Sequence, residues 1–498
     1  MRPSFKPAPV SVPAPILVDR SGKVRAVGWL IVLYIILLVI EGAFRKWVAP
    51  KYSDPFLIIR DPVLILIYFM ALRARVFPRN GFVISLAIIA FLSLATSVYI
   101  LSAYVVSLPL WFTILYGFRS NFLHMPLIFL MANVFDEDDV KRIGWWILLA
   151  MIPMALLMVA QFEASPGSFI NRTAGLSEGA EQLTAGGGKI RPAGTFSFIS
   201  GPIFYASVAA AFLIYGIISR GIYKMWFLIP CGIALVMAVA VSGSRACVAS
   251  VLLVVLTTLV ILIVRPQAVN QFGRILLIGI VATFVIMRLP VFKEGVGILS
   301  ERFTSSAEAE ETSITKGMLM RTAEQFTEGL TNLDKFPAGG WGLGIGTNVG
   351  AHFLVGGPAF ILSENEWTRV LYESGPFLGL AFLLWRTILV VYLGYSSLGA
   401  LSRGSPLPIL LFSSAFVVLL NGQLGQPTSL GFAVVLSGLC LASMQKTKTN
   451  TDGALALSAG ESAIPAPVPK PLPQRSPYAS RLHDPNPDAD QPNGSVDR

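Results

Sequence analysis

The forty residues from Met225 to Val264 carry a single charge, Arg245, in the turn "SGSR". A guanidinium is costly beside hydrocarbon, so a lone one in an apolar run either snorkels to an interface or holds an anion there. Other cations occupy comparable places. Arg60 and Asp61 open the apolar run "IIRDPVL", Arg191 precedes Pro192 in "GKIRPAGTF", Arg321 lies in "MLMRTAEQF", and Arg369 begins a further apolar run. Planar guanidinium forks suit pyrophosphate, which they engage through paired, charge-assisted hydrogen bonds. Nearby, "SENEWTRVLYESG" supplies Glu364, Glu366 and Glu373. On a helix Glu366, Arg369 and Glu373 form a ladder of ion pairs at i,i+3 and i,i+4, which leaves Glu364 over. A partly desolvated carboxylate beside arginines can take the proton of a hydroxyl nucleophile, and His352 is a second candidate for that base.

Competing structural roles exist for each. Arg45 follows Glu41 by four residues and suits an intrahelical pair, Arg245 can snorkel from a hairpin turn, and loop cations such as Lys316 suit a solvated surface. Other chemistries lack their residues. There is no H-E-x-x-H or G-x-S-x-G pattern, and the three histidines, His124, His352 and His483, are scattered. The three cysteines, Cys231, Cys247 and Cys440, all lie inside apolar runs, without the spacing of a zinc site or disulfide framework. No metal and no cofactor is therefore expected. The glycine-rich "GWGLGIG" follows no strand and reads as tight turns rather than a phosphate loop.

The elements that position these residues are set by composition. The chain has 498 residues, 54% hydrophobic and 13% charged, with a mean hydropathy of +0.67. Soluble domains carry about 25% charged residues, and apolar runs of about 20 residues cross a bilayer. The expected class is all-α: a polytopic membrane protein of about twelve helices with a large, partly helical outer loop. The spans are read at 27–44, 56–72, 82–100, 119–135, 143–161, 196–218, 224–243, 246–264, 273–290, 367–393, 406–421 and 427–445. Residues 1–26 form a cytoplasmic segment, 27–445 the membrane domain and 446–498 a cytoplasmic tail, disordered for its nine prolines between Pro465 and Pro492.

With both termini inside, every inner connection carries a cation, as the charge bias of membrane proteins demands. The net charge of +10 is spread between apolar segments, so no nucleic-acid partner is expected. A thirteenth span at 103–118 would reverse the later loops, so that stretch is read as an amphipathic segment on the outer surface. The first run is retained rather than cleaved, because no A-x-A site follows it. Two outer loops, 162–195 and 291–366, stand out by size. The second contains Ile314, Met318, Met320, Phe326 and Leu330 at amphipathic helical spacing. No internal repeat links the halves.

In this order, "KIRPAGTFSFISG" before a span, "SGSRA" between two spans, "MLMRTAEQF" in a large outer loop and "ENEWTRVLYESGPFLGL" after a Pro/Gly-rich stretch, the chain resembles the superfamily of O-antigen ligases and Wzy-type O-antigen polymerases. The resemblance covers about residues 30–445. It implies a metal-independent glycosyltransferase of the bacterial inner membrane, moving a glycan from a polyprenyl pyrophosphate carrier to a hydroxyl acceptor at the outer face. Polymerisation of O-antigen or exopolysaccharide units is favoured over ligation. Membrane lipid, the lipid-linked glycan, its acceptor and polysaccharide assembly proteins are the implied partners. By motif position Arg191, Arg245 and Arg321 would hold the pyrophosphate, with Arg60 and Arg369 as further forks. Asn365, Glu373, Gly375 and Gly379 fit the family's last motif with altered glycine spacing, and Glu364 stands where the family has histidine. Two other readings remain: a secondary transporter of twelve spans, which would show repeats and midplane charges, and an inactive relative that only binds lipid-linked glycan.

Overall fold

The computed structural model describes residues 22–102, 107–175, 184–186, 188–219, 221–264, 288, 290–309, 324–331, 337–357 and 360–445. These are mostly helical. In chain order come α1 (Gly22–Ala43), α2 (Arg60–Arg73), α3 (Gly81–Ser102), α4 (Leu108–Phe118), α5 (Pro126–Val134) and α6 (Glu137–Glu163). Next are α7 (Ser200–Ile218), α8 (Met225–Val241), α9 (Arg245–Val264), α10 (Pro290–Ala309) and α11 (Asn348–Val355). The last are α12 (Glu366–Ser402), α13 (Leu407–Asn421) and α14 (Pro427–Ala442). Strand is confined, among the described residues, to the antiparallel pair β1 (Thr184–Gly186) and β2 (Lys189–Ile190).

Among the described residues seven helical stretches are long and apolar enough to cross a membrane, against the twelve expected in the whole chain. They are Gly22–Val48, Pro50–Arg73, Gly81–Ser102, Glu137–Glu163, Ser200–Ile218, Arg245–Val264 and Glu366–Ser402. Helices α8, α13 and α14 are apolar but only 17, 15 and 16 residues long, short of the ~20 that a full crossing takes. The span expected at 119–135 is interrupted: Arg119–Leu123 is a π-helical turn, and α-helix resumes at Pro126. Proline has no N–H to donate backward, so it opens a helix more readily than it continues one. The span expected at 273–290 lies almost wholly outside the described residues, as does the tail at 446–498. The segment expected on the outer surface, 103–118, is helical from Leu108 and packs against α11.

Local chemistry explains the main boundaries. Asp136 caps α6 by accepting from Asp138 N at 3.1 Å and Asp139 N at 2.9 Å, while the Asp139 carboxylate accepts from Asp136 N. This reciprocal box satisfies amides that the first turn otherwise leaves unpaired. Helices α4, α5, α13 and α14 each have proline in the first turn. Helix α12 is broken at Gly375, with φ 75°, just before Pro376. Only glycine adopts that angle without strain, and proline removes the next backward hydrogen bond.

Helix α14 is the axis of the bundle, buried along its whole length and packed on α13, α5 and α7. A helix apolar all round belongs in such a position. Outside it, large apolar side chains face outward, among them Trp29, Phe91, Tyr99, Trp226 and Ile263, each at least 70% exposed. At one end Glu137 N donates to Gln445 O and Tyr223 Oη to Lys141 O. The opposite end collects most of the buried charge.

Candidate functional site

At that end α1 and α2 bring Glu41 and Arg60 together with Nε–Oε2 at 3.0 Å. Arg60 is fully buried, and its fork also donates to Tyr34 Oη at 3.3 Å and Pro427 O at 2.5 Å. Tyr34 Oη lies 2.7 Å from His124 Nδ1, and His124 Nε2 lies 3.1 Å from Asp61 Oδ1. The other Asp61 oxygen accepts from Arg119 Nε at 2.5 Å. The Arg119 fork stacks over Tyr116, whose hydroxyl donates to Gly425 O at 2.8 Å. On the other flank Arg45, 3.7 Å from Glu41, donates to Ser53 O, and Lys46 donates to Gly194 O at 2.6 Å. A belt of hydrogen bonds thus runs from the 190s to the 420s. Unpaired buried charge would be prohibitive here; paired and hydrogen-bonded, it locks α1, α2 and α14 in register.

A second cluster sits on the first two turns of α12. Glu366 Oε1 accepts from Arg369 Nη2 at 3.0 Å and from Arg386 Nη1 at 2.9 Å, and Glu366 Oε2 from Arg369 Nε at 3.0 Å. Arg369 Nη1 also donates to Glu373 Oε2 at 2.6 Å, and Nη2 to Asn121 Oδ1 at 3.0 Å. The ladder expected from the sequence is therefore present and extended by Arg386, a lone charge within "LLWRTILVV". Glu373 Oε1 accepts from Gly346 N at 3.0 Å. This fixes the glycine-rich turn, which also hydrogen-bonds across the α12 break through Trp341 N to Tyr372 O and Gly342 N to Glu373 O. At Gly344, with φ 84°, a Cβ would stand 2.0 Å from Thr113 O. These glycines allow the turn to approach the backbone of α4 and α12 closely.

Above this cluster lies a small cleft of about 20 Å³, lined by Asn348, Phe360, Glu364, Arg369, Gln423 and Gln426 among others. Glu364 is exposed, and its carboxylate has no hydrogen-bond partner among the described residues; its backbone oxygen accepts from Gln423 Nε2 at 2.9 Å. Gln426 Nε2 donates to Gln423 Oε1 at 2.6 Å, and the buried Asn348 Oδ1 has no partner. The Asn348 amide oxygen, one exposed aromatic ring and a carboxylate are groups that can engage a hydroxyl-bearing ligand at the mouth of this cleft. His352 lies one turn beyond Asn348 on α11, outside the cleft lining, with a buried Nδ1 that has no partner.

The expected arginine forks divide into two groups. Arg60 and Arg369 are engaged by protein groups, so neither has a free fork to offer pyrophosphate. Arg191 and Arg245 are different. Arg191 packs beside the "SGSR" turn, its Cγ 3.6 Å from the position of a Gly243 Cβ, and its buried Nε has no partner. Arg245 opens α9, half-buried, with no acidic partner among the described residues. Lys189, before this corner, is within 3.5 Å of Glu294 and 3.9 Å of Glu163. Arg321 lies outside the described residues. Of the amphipathic stretch, the described part at 324–331 is helical and docks Phe326 edge-on to Trp367, with ring centroids 5.0 Å apart.

The sequence reading missed Asn348, Gln423 and Gln426, because isolated uncharged amides at a helix start or in a turn carry no spacing signal. Arg386 could have been found, since a lone charge in an apolar run was the criterion used elsewhere. Compared with protein-family models and with curated proteins, the chain matches none.

Proposed function

We propose that the chain is a membrane-embedded, metal-independent glycosyltransferase. It would move a glycan from a polyprenyl pyrophosphate carrier to a hydroxyl acceptor at the outer face of a bacterial inner membrane, by polymerisation rather than ligation. Seven long apolar helices and an apolar exterior support insertion in a bilayer. The observation that carries the chemistry is the cleft, where Glu364, its carboxylate without a partner among the described residues, stands among amides and Phe360 at the same end of the bundle as Arg191 and Arg245, which have no acidic partner among those residues.

In the proposed reaction the Glu364 carboxylate accepts the proton of the acceptor hydroxyl. The oxygen forms a bond to the anomeric carbon as the bond to pyrophosphate breaks, and the leaving pyrophosphate keeps the electron pair. Arg191 and Arg245 stabilise that charge without a metal. Arg60 and Arg369 hold the scaffold. The break in α12 beside buried charges also suits a secondary transporter; the saturation of those charges by one another favours the enzyme.

The test uses purified full chain in lipid nanodiscs with a synthetic polyprenyl pyrophosphate oligosaccharide. Lengthened lipid-linked glycan is the expected product. No transfer, together with substrate-dependent uptake into vesicles, would replace the enzyme reading with the transporter.

A further inference from the structure

At the end of the bundle away from the cleft, a groove of about 310 Å³ lies between α1 and α6. Its floor is apolar: Gly28 and Val32 on α1 face Val134 and Phe135 at the end of α5. At Gly28 a Cβ would touch Phe135 and Val134 at 3.4 Å, so the absent side chain leaves the floor open. Two cations stand at the mouth. Arg142 is held by Asp139, whereas Arg25 is exposed and has no acidic partner among the described residues. Trp29 and Trp146, 70% and 64% exposed, line the same groove.

We propose that this groove binds an anionic phospholipid, with its phosphate at Arg25 and Arg142 and one acyl chain along Gly28 and Val32. Three observations on the groove argue for that occupant. Two arginines against one aspartate leave one net positive charge, which complements one phosphodiester. The apolar floor begins directly beside those cations, so a single ligand must be charged at one end and hydrocarbon along its length. Tryptophan on both walls suits the depth at which headgroups meet acyl chains. A soluble peptide would need backbone partners that this floor does not offer. The proposal rests on the reading of the long helices as membrane spans and is independent of the glycosyl-transfer chemistry.

The test is thermal unfolding of the detergent-purified full chain, titrated with phosphatidylglycerol or with phosphatidylcholine of the same acyl chains. Phosphatidylglycerol should raise the melting temperature saturably and phosphatidylcholine should not. Arg25→Gln should weaken the phosphatidylglycerol effect about tenfold, as expected for loss of one charge-assisted contact. Gly28→Leu should abolish it by filling the floor; if that variant does not fold, Arg25→Gln decides alone. Equal effects of the two lipids, or an effect unaltered in Arg25→Gln, would overturn the proposal. Release of the chain from membranes by alkaline carbonate would instead remove the span reading, and the groove's lipid with it.

Discussion

Gly431 leaves the space that the Arg60 guanidinium fills: a Cβ at 431 would stand 2.1 Å from Arg60 Nη1. Arg60 reaches across from α2 to donate to Pro427 O, one turn earlier on α14. A methyl group there must displace a fork held by Glu41, Tyr34 and Pro427 together. Gly431→Ala is expected to cost about 1–3 kcal/mol, the usual range for overpacking, read as a lower melting temperature in detergent. An unchanged melting temperature would mean that the fork is not seated against α14.

Glu366 is shared by Arg369 and Arg386, so Glu366→Gln leaves two buried guanidinium groups without their common anion. Breaking a buried pair on one side costs about 3–5 kcal/mol. Folded yield should fall sharply. Adding Arg386→Met, which removes one of the stranded charges, should recover part of it. No recovery in the double variant would point to a role for Arg386 apart from pairing with Glu366.

Glu364→Gln tests the base. Glu364 is exposed and its carboxylate has no partner among the described residues, so the melting temperature should be unchanged to within about 0.5 kcal/mol of stability. Transfer should fall about 10²–10⁴-fold, the usual contribution of a general base. Transfer near the wild-type rate per folded molecule would remove Glu364 from the mechanism and turn attention to His352.

Arg245→Lys keeps the charge and the capacity to snorkel but loses the two-pronged geometry. Glycan transfer should drop strongly at unchanged abundance and melting temperature. Undiminished transfer would leave interfacial anchoring as the whole role of Arg245.

The two ends of the bundle should be separable by labelling. The native cysteines are free and buried, so single cysteines placed at exposed positions report alone. Positions 165 and 331 should react with an impermeant maleimide from the outer side, and positions 80 and 402 only after the inner side is opened. Position 331 labelled only from the inner side would place the helical stretch at 324–331 away from any outer substrate.

The helical class and the membrane-length runs were legible in the sequence because they depend on composition and on spacing within about 20 residues. The same holds for the ladder Glu366–Arg369–Glu373 and the pair Glu41–Arg45, whose partners lie three or four residues apart. What the sequence alone did not decide is which arginines remain free. Arg60 is saturated by Pro427, 367 residues away, and Arg369 by Asn121, 248 residues away. Arg191 and Arg245, of equal standing as sequence signals, meet no such partner among the described residues. A guanidinium's availability depends on every donor and acceptor within about 3 Å of it, and that neighbourhood forms only when distant helices pack. The same reason hid the cleft, whose amides come from α11 and the turn before α14, and the groove, whose floor is the gap left at Gly28 against Phe135.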